Sequence, residues 1–503
     1  MYQSLIFSTR FFSSGRNTGA HRIATILRDL NWECEVIDFA LYFNIDELKE
    51  VARSRITLDT KIIGFSVFSG NWDEKFDDLC KWIKEEYPHT TIVVGSQEVL
   101  KIGIPKDYVD YFVDSFGDYA ITAIAEYIAG TGSRPRTDLD EQARSGKRVI
   151  KSNTSYPAFP MKSLKIEYED RDFIQPEEFL GIEVARGCKF KCSFCSFPIL
   201  GVKGDYSRDA DDFEQELRRN YDKWGVKNYY ALDETFNDVT EKIAKFADAV
   251  DRLDFEPWFG GFLRGDLLAN RKQDWEHLAR MRFFGHYYGI ESLNHASAKA
   301  IGKGMKTEKI QEGLLLAKDY FKQRGPYRST ISIIAGLPNE SIATLDRGYQ
   351  WLEENWSDQS VVYFPLYIPL DGTTMSTSGL STEWAEKGYR VSGKTREQFP
   401  EYTEFFKRVW PYSETSMVWE TEYMDLFTSI EYVHNFWDKK SQKFGVGMWD
   451  IGTVCRDYKI SIDEALKLKL GYMGDYYNDN AIENAEKFVY EYKLKKLNYI
   501  SPQ

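Results

Sequence analysis

The stretch FLGIEVARGCKFKCSFCSFP, residues 179–198, joins an apolar, strand-like run to a loop that carries three cysteines. The thiols follow the spacing C-x3-C-x2-C at Cys188, Cys192 and Cys195. Three of the chain's six cysteines therefore fall within eight positions, with no fourth cysteine beside them. This spacing predicts a site that binds a metal or a cluster through three sulfurs.

Four interpretations of these thiols compete. A buried helical stripe fits poorly, because Gly187 and Pro198 bracket the segment and lysines interrupt it. A structural zinc site usually takes four nitrogen or sulfur ligands, but no second pair of cysteines is present and the next histidine is His277. The odd number of clustered cysteines argues against disulfides. The spacing best fits an iron–sulfur cluster that is held by three protein thiolates, which leaves one iron open to a substrate or cofactor.

Composition indicates a globular protein of two or three domains. The chain has 503 residues, of which 43% are hydrophobic and 28% charged. Its net charge of −13 argues against broad nucleic-acid binding, which needs a basic face. No run approaches the roughly 20 apolar residues of a membrane helix, and the N-terminus lacks a signal-peptide layout. The few cysteines fit a reducing compartment, so we expect a cytoplasmic protein.

The first 130 residues alternate between short apolar runs and amphipathic helical patterns. Such alternation predicts βαβ units and a doubly wound, Rossmann-like parallel sheet over 1–130. Residues 131–178 are polar and rich in Gly, Pro and Ser, which predicts a linker. The predicted strands of the first domain cover residues 4–8, 34–40, 61–68, 91–95 and 108–113.

A second alternation over 179–380 predicts a β/α barrel, complete or partial, with six strand–helix units. Beyond it, residues 381–503 are rich in Trp and Tyr and are predicted to be helical. We expect this C-terminal region to help close the active site. The predicted barrel strands and their loops lie at 179–187, 226–236, 257–268, 285–292, 329–338 and 360–370.

The cysteine spacing, with the aromatic Phe194 just before the last thiol, resembles the radical S-adenosylmethionine (SAM) superfamily. The resemblance covers about residues 179–380 and includes segments at the predicted carboxyl ends of later strands. Active sites of β/α barrels lie at those ends. The matching segments are ALDETF (231–236), GIES (289–292), IIAGLPNE (333–340) and IPLDGTTM (368–375).

This resemblance implies a [4Fe–4S] cluster bound by Cys188, Cys192 and Cys195, with SAM as a second cofactor. In the superfamily, the amino and carboxylate groups of SAM chelate the iron that has no protein ligand. One electron from the reduced cluster cleaves a C–S bond of SAM, giving methionine and a 5′-deoxyadenosyl radical that abstracts an unactivated hydrogen. A reducing partner such as flavodoxin or ferredoxin is expected to supply the electron.

The resemblance also implies polar contacts to SAM, each of which has a simpler structural alternative. Asp233 and Glu234 are expected to accept hydrogen bonds from the methionine ammonium, or else to face solvent or cap a helix. Arg264 is expected to pair with the SAM carboxylate, or to form a surface ion pair. Glu291 and Ser292 are expected to contact the ribose or methionine part, or to support the site from a buried position.

Two further positions are assigned to the adenine of SAM. Phe194 is expected to lie near the ring, or to pack only within its own loop. Gly336 is expected to let the backbone approach the adenine, or simply to make a turn.

A doubly wound domain before such a barrel resembles the cobalamin-binding subfamily of radical SAM enzymes. The segments KIIGFSVFSGN (61–71), IVVGSQEV (92–99) and VDYFVDSFGDYA (109–120) resemble strand-and-loop segments of that domain. Ligands of open parallel sheets bind beyond the carboxyl ends of the strands. We therefore expect cobalamin beside the loops 11–21 and 68–71.

One feature departs from the subfamily's familiar pattern. The motif D-x-H-x-x-G, whose histidine ligates cobalt, is absent, because Gly19 and Ala24 stand where His21 would need Asp and Gly. Many members of the subfamily resemble this chain in lacking the motif, so cobalamin remains the expectation. The absence also allows the domain to be a vestigial scaffold.

Three hypotheses about function follow. The leading one is methyl transfer to an unactivated carbon or phosphorus with methylcobalamin as donor. The second keeps the radical but gives a rearrangement, cyclisation or oxidation. A non-catalytic iron–sulfur electron carrier is disfavoured, because a carrier needs no open iron. A methylthiotransferase needs a second cluster, yet Cys34, Cys80 and Cys455 are scattered. The substrate, a small molecule or peptide, is not indicated by any motif.

Overall fold

A computed structural model describes residues 3–9, 15–67, 72–96, 99, 107–157, 159–195, 205–370, 378–402, 416–467 and 479–499. The chain divides into two compact units. In the described part, no helix has both the length and the apolar character needed to cross a bilayer. The first unit comprises Met1–Gly181, Arg219–Val226 and Ile482–Gln503, and the second comprises Ile182–Arg218 and Lys227–Ala481.

The first unit contains a six-stranded parallel sheet flanked by helices, which confirms the predicted α/β class. Its strands are β1 (Ser4–Ser8), β2 (Cys34–Ile37), β3 (Ile62–Ser66), β4 (Thr91–Ser96), β5 (Tyr111–Asp114) and β6 (Val149–Lys151). Its helices are α1 (Thr18–Asp29), α2 (Ile45–Arg55), α3 (Glu74–Glu86), α4 (Asp118–Ile128), α5 (Leu139–Ser145) and α6 (Ser152–Ser155). The spatial order is β2-β1-β3-β4-β5-β6, so the order reverses direction between β1 and β3.

Local sequence explains these elements. Every residue of β1 and β2 is buried, as expected for parallel strands that are covered on both faces. Helix α1 begins after Asn17, whose side chain accepts a hydrogen bond from the Gly19 amide. Helix α2 begins with a reciprocal capping box between Asn44 and Glu47.

The segment 131–178, which was predicted to be a linker, adds an unpredicted strand to this sheet. Strand β6 pairs in parallel with β5, and Val149 lies opposite Phe112. Both Val149 and Ile150 are buried, so the short run VIK contributes to the core although its flanks are polar.

A second parallel sheet of six strands has the sequential order β12-β11-β10-β9-β8-β7 and, apart from the first residues of β7, belongs to the second unit. Helices between successive strands make it a partial β/α barrel, as predicted. The strands are β7 (Phe179–Glu183), β8 (Asn228–Leu232), β9 (Trp258–Arg264), β10 (Phe283–Glu291), β11 (Arg328–Ala335) and β12 (Ser360–Pro365). The helices are α7 (Ala210–Trp224), α8 (Thr240–Val250), α9 (Gly265–Asn270), α10 (Asp274–Arg280), α11 (His295–Ala300), α12 (Thr307–Lys322) and α13 (Ile342–Trp356).

The C-terminal region is mainly helical and also contains a short antiparallel pair of strands. The predicted domain boundaries stay a prediction, although contacts group the chain from Ile482 onward with the first unit. The remaining elements are α14 (Gly379–Thr382), β13 (Arg390–Val391), β14 (Trp419–Glu420), α15 (Leu426–Asn435), α16 (Met448–Tyr458), α17 (Ile462–Lys467) and α18 (Asp479–Asn498).

Helix α16 packs against the sheet of the partial barrel. Its first residues accept hydrogen bonds from the hydroxyl of Tyr230 in β8, at 3.1 Å for the Met448 carbonyl and 2.8 Å for the Trp449 carbonyl. The Met448 amide donates to the side chain of Thr330 in β11 at 3.2 Å. Because β8 and β11 are not neighbours in the sheet, α16 crosses between them.

Candidate active site

The three clustered thiols are the accessible ones. None of the six cysteines is in a disulfide, and Cys188, Cys192 and Cys195 are partly exposed. The other three, Cys34, Cys80 and Cys455, are buried. Thiolates are the protein ligands of iron–sulfur clusters, so this loop offers suitable donors.

The cysteine loop follows β7 and is held by backbone hydrogen bonds from later parts of the barrel. The Ser193 amide donates to the Ile301 carbonyl at 3.2 Å, just beyond α11. The Leu380 amide in α14 donates to the Ser193 carbonyl at 2.6 Å. These contacts hold the loop at the carboxyl end of the strands, where barrel active sites lie.

Cys188 lies against the end of β8. Its Sγ is 3.4 Å from the Oγ1 of Thr235, a residue that the sequence did not single out. The Thr235 amide donates to Asp233 Oδ1 at 2.8 Å. The segment ALDETF is thereby brought to the first thiol, as its position after the second strand predicted.

Asp233 is fully engaged within the protein. Lys242 Nζ on α8 donates to Asp233 Oδ2 at 2.7 Å and lies 2.6 Å from Asp238 Oδ1. All three side chains have no solvent exposure. Because both Asp233 oxygens already accept hydrogen bonds from the protein, this residue has a structural role at the end of β8.

Glu234 differs sharply from Asp233. Its Oε2 is buried and has no hydrogen-bond partner. Burial, and then the charge of neighbouring Asp233, raise the pKa of Glu234 to about 8. A buried carboxyl that has one oxygen without a partner, next in the chain to the Thr235 that contacts the first thiol, is a natural acceptor for a cationic ligand group.

Arg264, at the end of β9, contacts the cysteine loop directly. Its Nε and Nη2 donate to Asp266 at 3.0 and 2.7 Å, and its Nη1 lies 3.1 Å from Cys192 Sγ. The guanidinium also stacks over Phe190, 4.1 Å from the ring centroid. The predicted surface ion pair is therefore replaced by a largely buried one, since Arg264 is only 7% exposed.

Phe194 and Glu291 are linked through a lysine that the sequence analysis missed. Lys303 Nζ donates to Glu291 Oε1 at 2.9 Å and to the Gly289 carbonyl at 2.6 Å. The same ammonium lies 5.6 Å from the Phe194 ring centroid. Glu291 has a left-handed backbone with φ of 65°, which is uncommon for glutamate and frequent at functional sites.

Ser292 and Gly336 belong to a separate buried group. Ser292 Oγ donates to Glu340 Oε1 at 2.8 Å, and the Gly336 amide donates to Glu340 Oε2 at 2.9 Å. Gly336 has φ of 102°, and a Cβ there would lie 2.5 Å from the Trp419 ring. This glycine is therefore required for a tight turn and for contact with Trp419.

The barrel contains a known domain. Residues 182–352 match the family model of the Radical SAM superfamily. This chain carries a radical SAM domain. Such a domain implies a [4Fe–4S] cluster and SAM, and the three accessible thiols fit the cluster as donors. None of the curated proteins matches the chain.

Two solved structures share the fold at low sequence identity. The cobalamin-dependent S-adenosylmethionine radical enzyme OxsB, with aqua-cobalamin and S-adenosylmethionine bound, has a TM-score of 0.59 and 14% identity, covering 99% of this chain and 72% of that chain. The radical S-adenosylmethionine methyltransferase TsrM from Kitasatospora setae, with tryptophan substrate and a SAM analogue bound, has a TM-score of 0.54 and 13% identity, covering 78% and 79%. This similarity establishes the architecture, in which a radical SAM barrel is combined with a parallel-sheet domain.

Proposed function

We propose that the protein is a cobalamin-dependent radical SAM enzyme that methylates an unactivated carbon or phosphorus of its substrate. The observation that carries this proposal is the fold, which is similar to cobalamin-dependent radical SAM enzymes over 99% of the chain. The methyltransferase TsrM shares the fold and supports the assignment of the reaction class. Cytoplasmic location and a flavodoxin- or ferredoxin-like reductant remain part of the proposal.

In this proposal Cys188, Cys192 and Cys195 hold the cluster. Glu234 accepts a hydrogen bond from the SAM ammonium, because its Oε2 is a buried acceptor that has no partner. Glu291 and Phe194 are proposed to contact the nucleoside part of SAM, with Lys303 fixing both side chains. When bound, the cluster and SAM would supply a 5′-deoxyadenosyl radical that is reactive enough to abstract an unactivated hydrogen.

Cobalamin is proposed to bind at the carboxyl edge of the sheet in the first unit. Its strand order reverses between β1 and β3, and open parallel sheets bind ligands at such a point, beyond the carboxyl ends of the strands. Three hydroxyl oxygens at the end of β1 and the start of α1 are buried without a partner, on Ser8, Thr9 and Thr18. Unpaired buried hydroxyls fit a ligand with many polar groups. Of the loops that were expected beside cobalamin, residues 11–14 and 68–71 lie outside the described residues.

Cobalt is proposed to have no ligand from His21. The His21 Nε2 lies 3.1 and 3.2 Å from the two carboxylate oxygens of Asp38, and its Nδ1 lies 3.6 Å from Asp172. All three side chains are buried. Electron paramagnetic resonance of the Co(II) form should therefore show no nitrogen splitting from His21. A nitrogen splitting that vanished in His21→Ala would contradict this assignment.

The function is tested by anaerobic reconstitution with iron, sulfide and cobalamin, followed by incubation with SAM and a reductant. We expect 5′-deoxyadenosine to form with the cluster alone, and S-adenosylhomocysteine to form in addition when cobalamin is bound. S-adenosylhomocysteine is the product that SAM leaves after it gives up its methyl group. If the protein retained no cobalamin, the methyl-transfer proposal would fail while the radical SAM assignment stood.

A second candidate is a cobalamin-associated radical rearrangement, cyclisation or oxidation. It is supported by OxsB, which matches nearly the whole chain and is described as a radical enzyme rather than as a methyltransferase. The same incubation separates the two candidates. Production of 5′-deoxyadenosine without S-adenosylhomocysteine, in protein loaded with cobalamin, would favour the second candidate.

A further inference from the structure

Arg264 presents an N–H donor to the sulfur of Cys192. The Nη1–Sγ distance is 3.1 Å, which is within hydrogen-bonding range for sulfur. The opposite edge of the guanidinium is paired in a fork with Asp266, through Nε and Nη2. The Arg264 guanidinium, which was expected to pair with the SAM carboxylate, thus already contacts Cys192.

The arginine has little freedom to turn elsewhere. Its backbone amide donates to Asn237 Oδ1 at 2.8 Å, and its carbonyl accepts from Asn237 Nδ2 at 3.0 Å. The ring of Phe190, on the cysteine loop itself, lies under the guanidinium. Because the backbone, one guanidinium edge and one face are all fixed, Nη1 is held at the Cys192 sulfur.

A hydrogen bond to a cluster ligand has a defined electrostatic effect. Reduction adds one electron to the cluster and makes it more negative, so a nearby positive donor stabilises the reduced form more than the oxidised form. Hydrogen bonds to the sulfurs are among the features by which proteins set the potentials of iron–sulfur clusters. Arginine suits this task because it stays charged at every accessible pH.

We propose that Arg264 is a positioning residue that sets the reduction potential of the cluster through Cys192. This inference rests on the proposed function, since it requires a cluster at the three cysteines. An external one-electron donor is oxidised as the cluster takes up its electron, and the Arg264 contact makes that uptake more favourable. Asp266 and Phe190 keep the guanidinium in place.

The test is an anaerobic redox titration of the reconstituted protein without SAM, followed by electron paramagnetic resonance of the reduced cluster. Removing a charge-assisted hydrogen bond in Arg264→Met should lower the ratio of reduced to oxidised cluster at fixed potential about tenfold, a shift of about 59 mV for one electron. Lys303→Met is the matched control, because Lys303 lies beside the same loop near Phe194 and pairs with Glu291. Its potential should change much less.

A second measurement separates this role from binding of the SAM carboxylate. SAM affinity, measured anaerobically by calorimetry, should change less than about threefold in Arg264→Met, well below the loss of a charged hydrogen bond. An unchanged potential with strongly weakened SAM binding would overturn the inference in favour of the carboxylate role. Equal shifts in Arg264→Met and Lys303→Met would also overturn it, because the effect would then be general charge.

The outcome remains interpretable if a variant loses iron. Iron is measured per chain, and Arg264→Lys gives the same test with the charge retained, since lysine lacks the planar fork that binds Asp266. The potential of Arg264→Lys should fall by less than that of Arg264→Met. A changed electron paramagnetic resonance spectrum of the reduced cluster in Arg264→Lys would indicate that the contact with Cys192 is lost. An unchanged potential in that case would count against the inference. Failure of the wild-type protein to bind any cluster would instead refute the proposed function itself.

Discussion

Each unit of the protein buries a group of charged side chains, and the two groups differ in how completely they are paired. In the first unit, Arg16 lies 2.7 Å from Asp38 and 2.8 Å from Glu178, with all three side chains almost without exposure. In the second unit, the buried Oε2 of Glu234 has no hydrogen-bond partner among the described residues. A paired group stabilises the fold, whereas an unpaired one keeps binding capacity for a ligand.

The pKa values follow the same difference. Burial opposes ionisation at both sites, but His21 and Arg16 hold the pKa of Asp38 well below its usual range. At Glu234, by contrast, burial and then the charge of Asp233 raise the pKa to about 8. The buried carboxylate of Asp38 is therefore held in a stabilising ion pair in the first unit. In the second unit, the buried carboxyl of Glu234 has a raised pKa and an oxygen that can accept from a ligand.

The largest effect is expected at the cysteine loop. Cys188→Ala should abolish the formation of 5′-deoxyadenosine from SAM, because two thiolates cannot replace three as cluster ligands. Cys80→Ala is the control, since Cys80 is buried in the first unit and should be dispensable for this chemistry. The measurement is chromatography of the products after anaerobic reduction. Production of 5′-deoxyadenosine by Cys188→Ala would show that the ligand assignment is wrong.

The next effect tests pairing in the first unit. Arg16→Met leaves Asp38 and Glu178 buried without their shared cation, which should cost about 3–5 kcal/mol of unfolding free energy. Urea unfolding followed by circular dichroism measures it. Arg144→Met is the control, because Arg144 is 73% exposed where it pairs with Glu141, and its urea midpoint should stay unchanged. Similar urea midpoints for Arg16→Met and Arg144→Met would show that the Arg16 cluster does not stabilise the fold.

A smaller effect is expected on SAM binding at the unpaired carboxyl. Glu234→Gln should weaken SAM roughly ten- to a hundredfold, as expected when a charge-assisted hydrogen bond is lost. Glu291→Gln should act in the same direction, whereas iron content should stay at the wild-type level in both. Anaerobic equilibrium binding of SAM measures the change. Wild-type affinity in both variants would refute the proposed SAM contacts.

The sequence predicted both sheets because their apolar alternation is visible without tertiary information. It missed β6, whose three residues Val149–Lys151 are too short to show a period. It also missed Lys242 and Lys303, because each acquires its role only when the fold brings it to Asp233 or Glu291. Motif resemblance located strand ends, but it could not distinguish a carboxyl that is already paired from one that is free.

The last prediction concerns the pH dependence of stability at Glu234. Its pKa in the folded protein is about 8, above the ordinary value of 4.5, so the folded state keeps a proton that the unfolded chain loses. Stability from this group is thus complete below about pH 4.5 and declines as pH rises toward 8, by at most about 1.4 kcal/mol per pH unit.

Glu234→Gln should lack this decline. Glu340, whose pKa burial raises to about 7, is present in both proteins and cancels in the difference. Parallel stability curves for the two proteins between pH 5 and 8, measured by urea unfolding without SAM, would show that the Glu234 carboxyl has a partner and that the two units do not differ in this way.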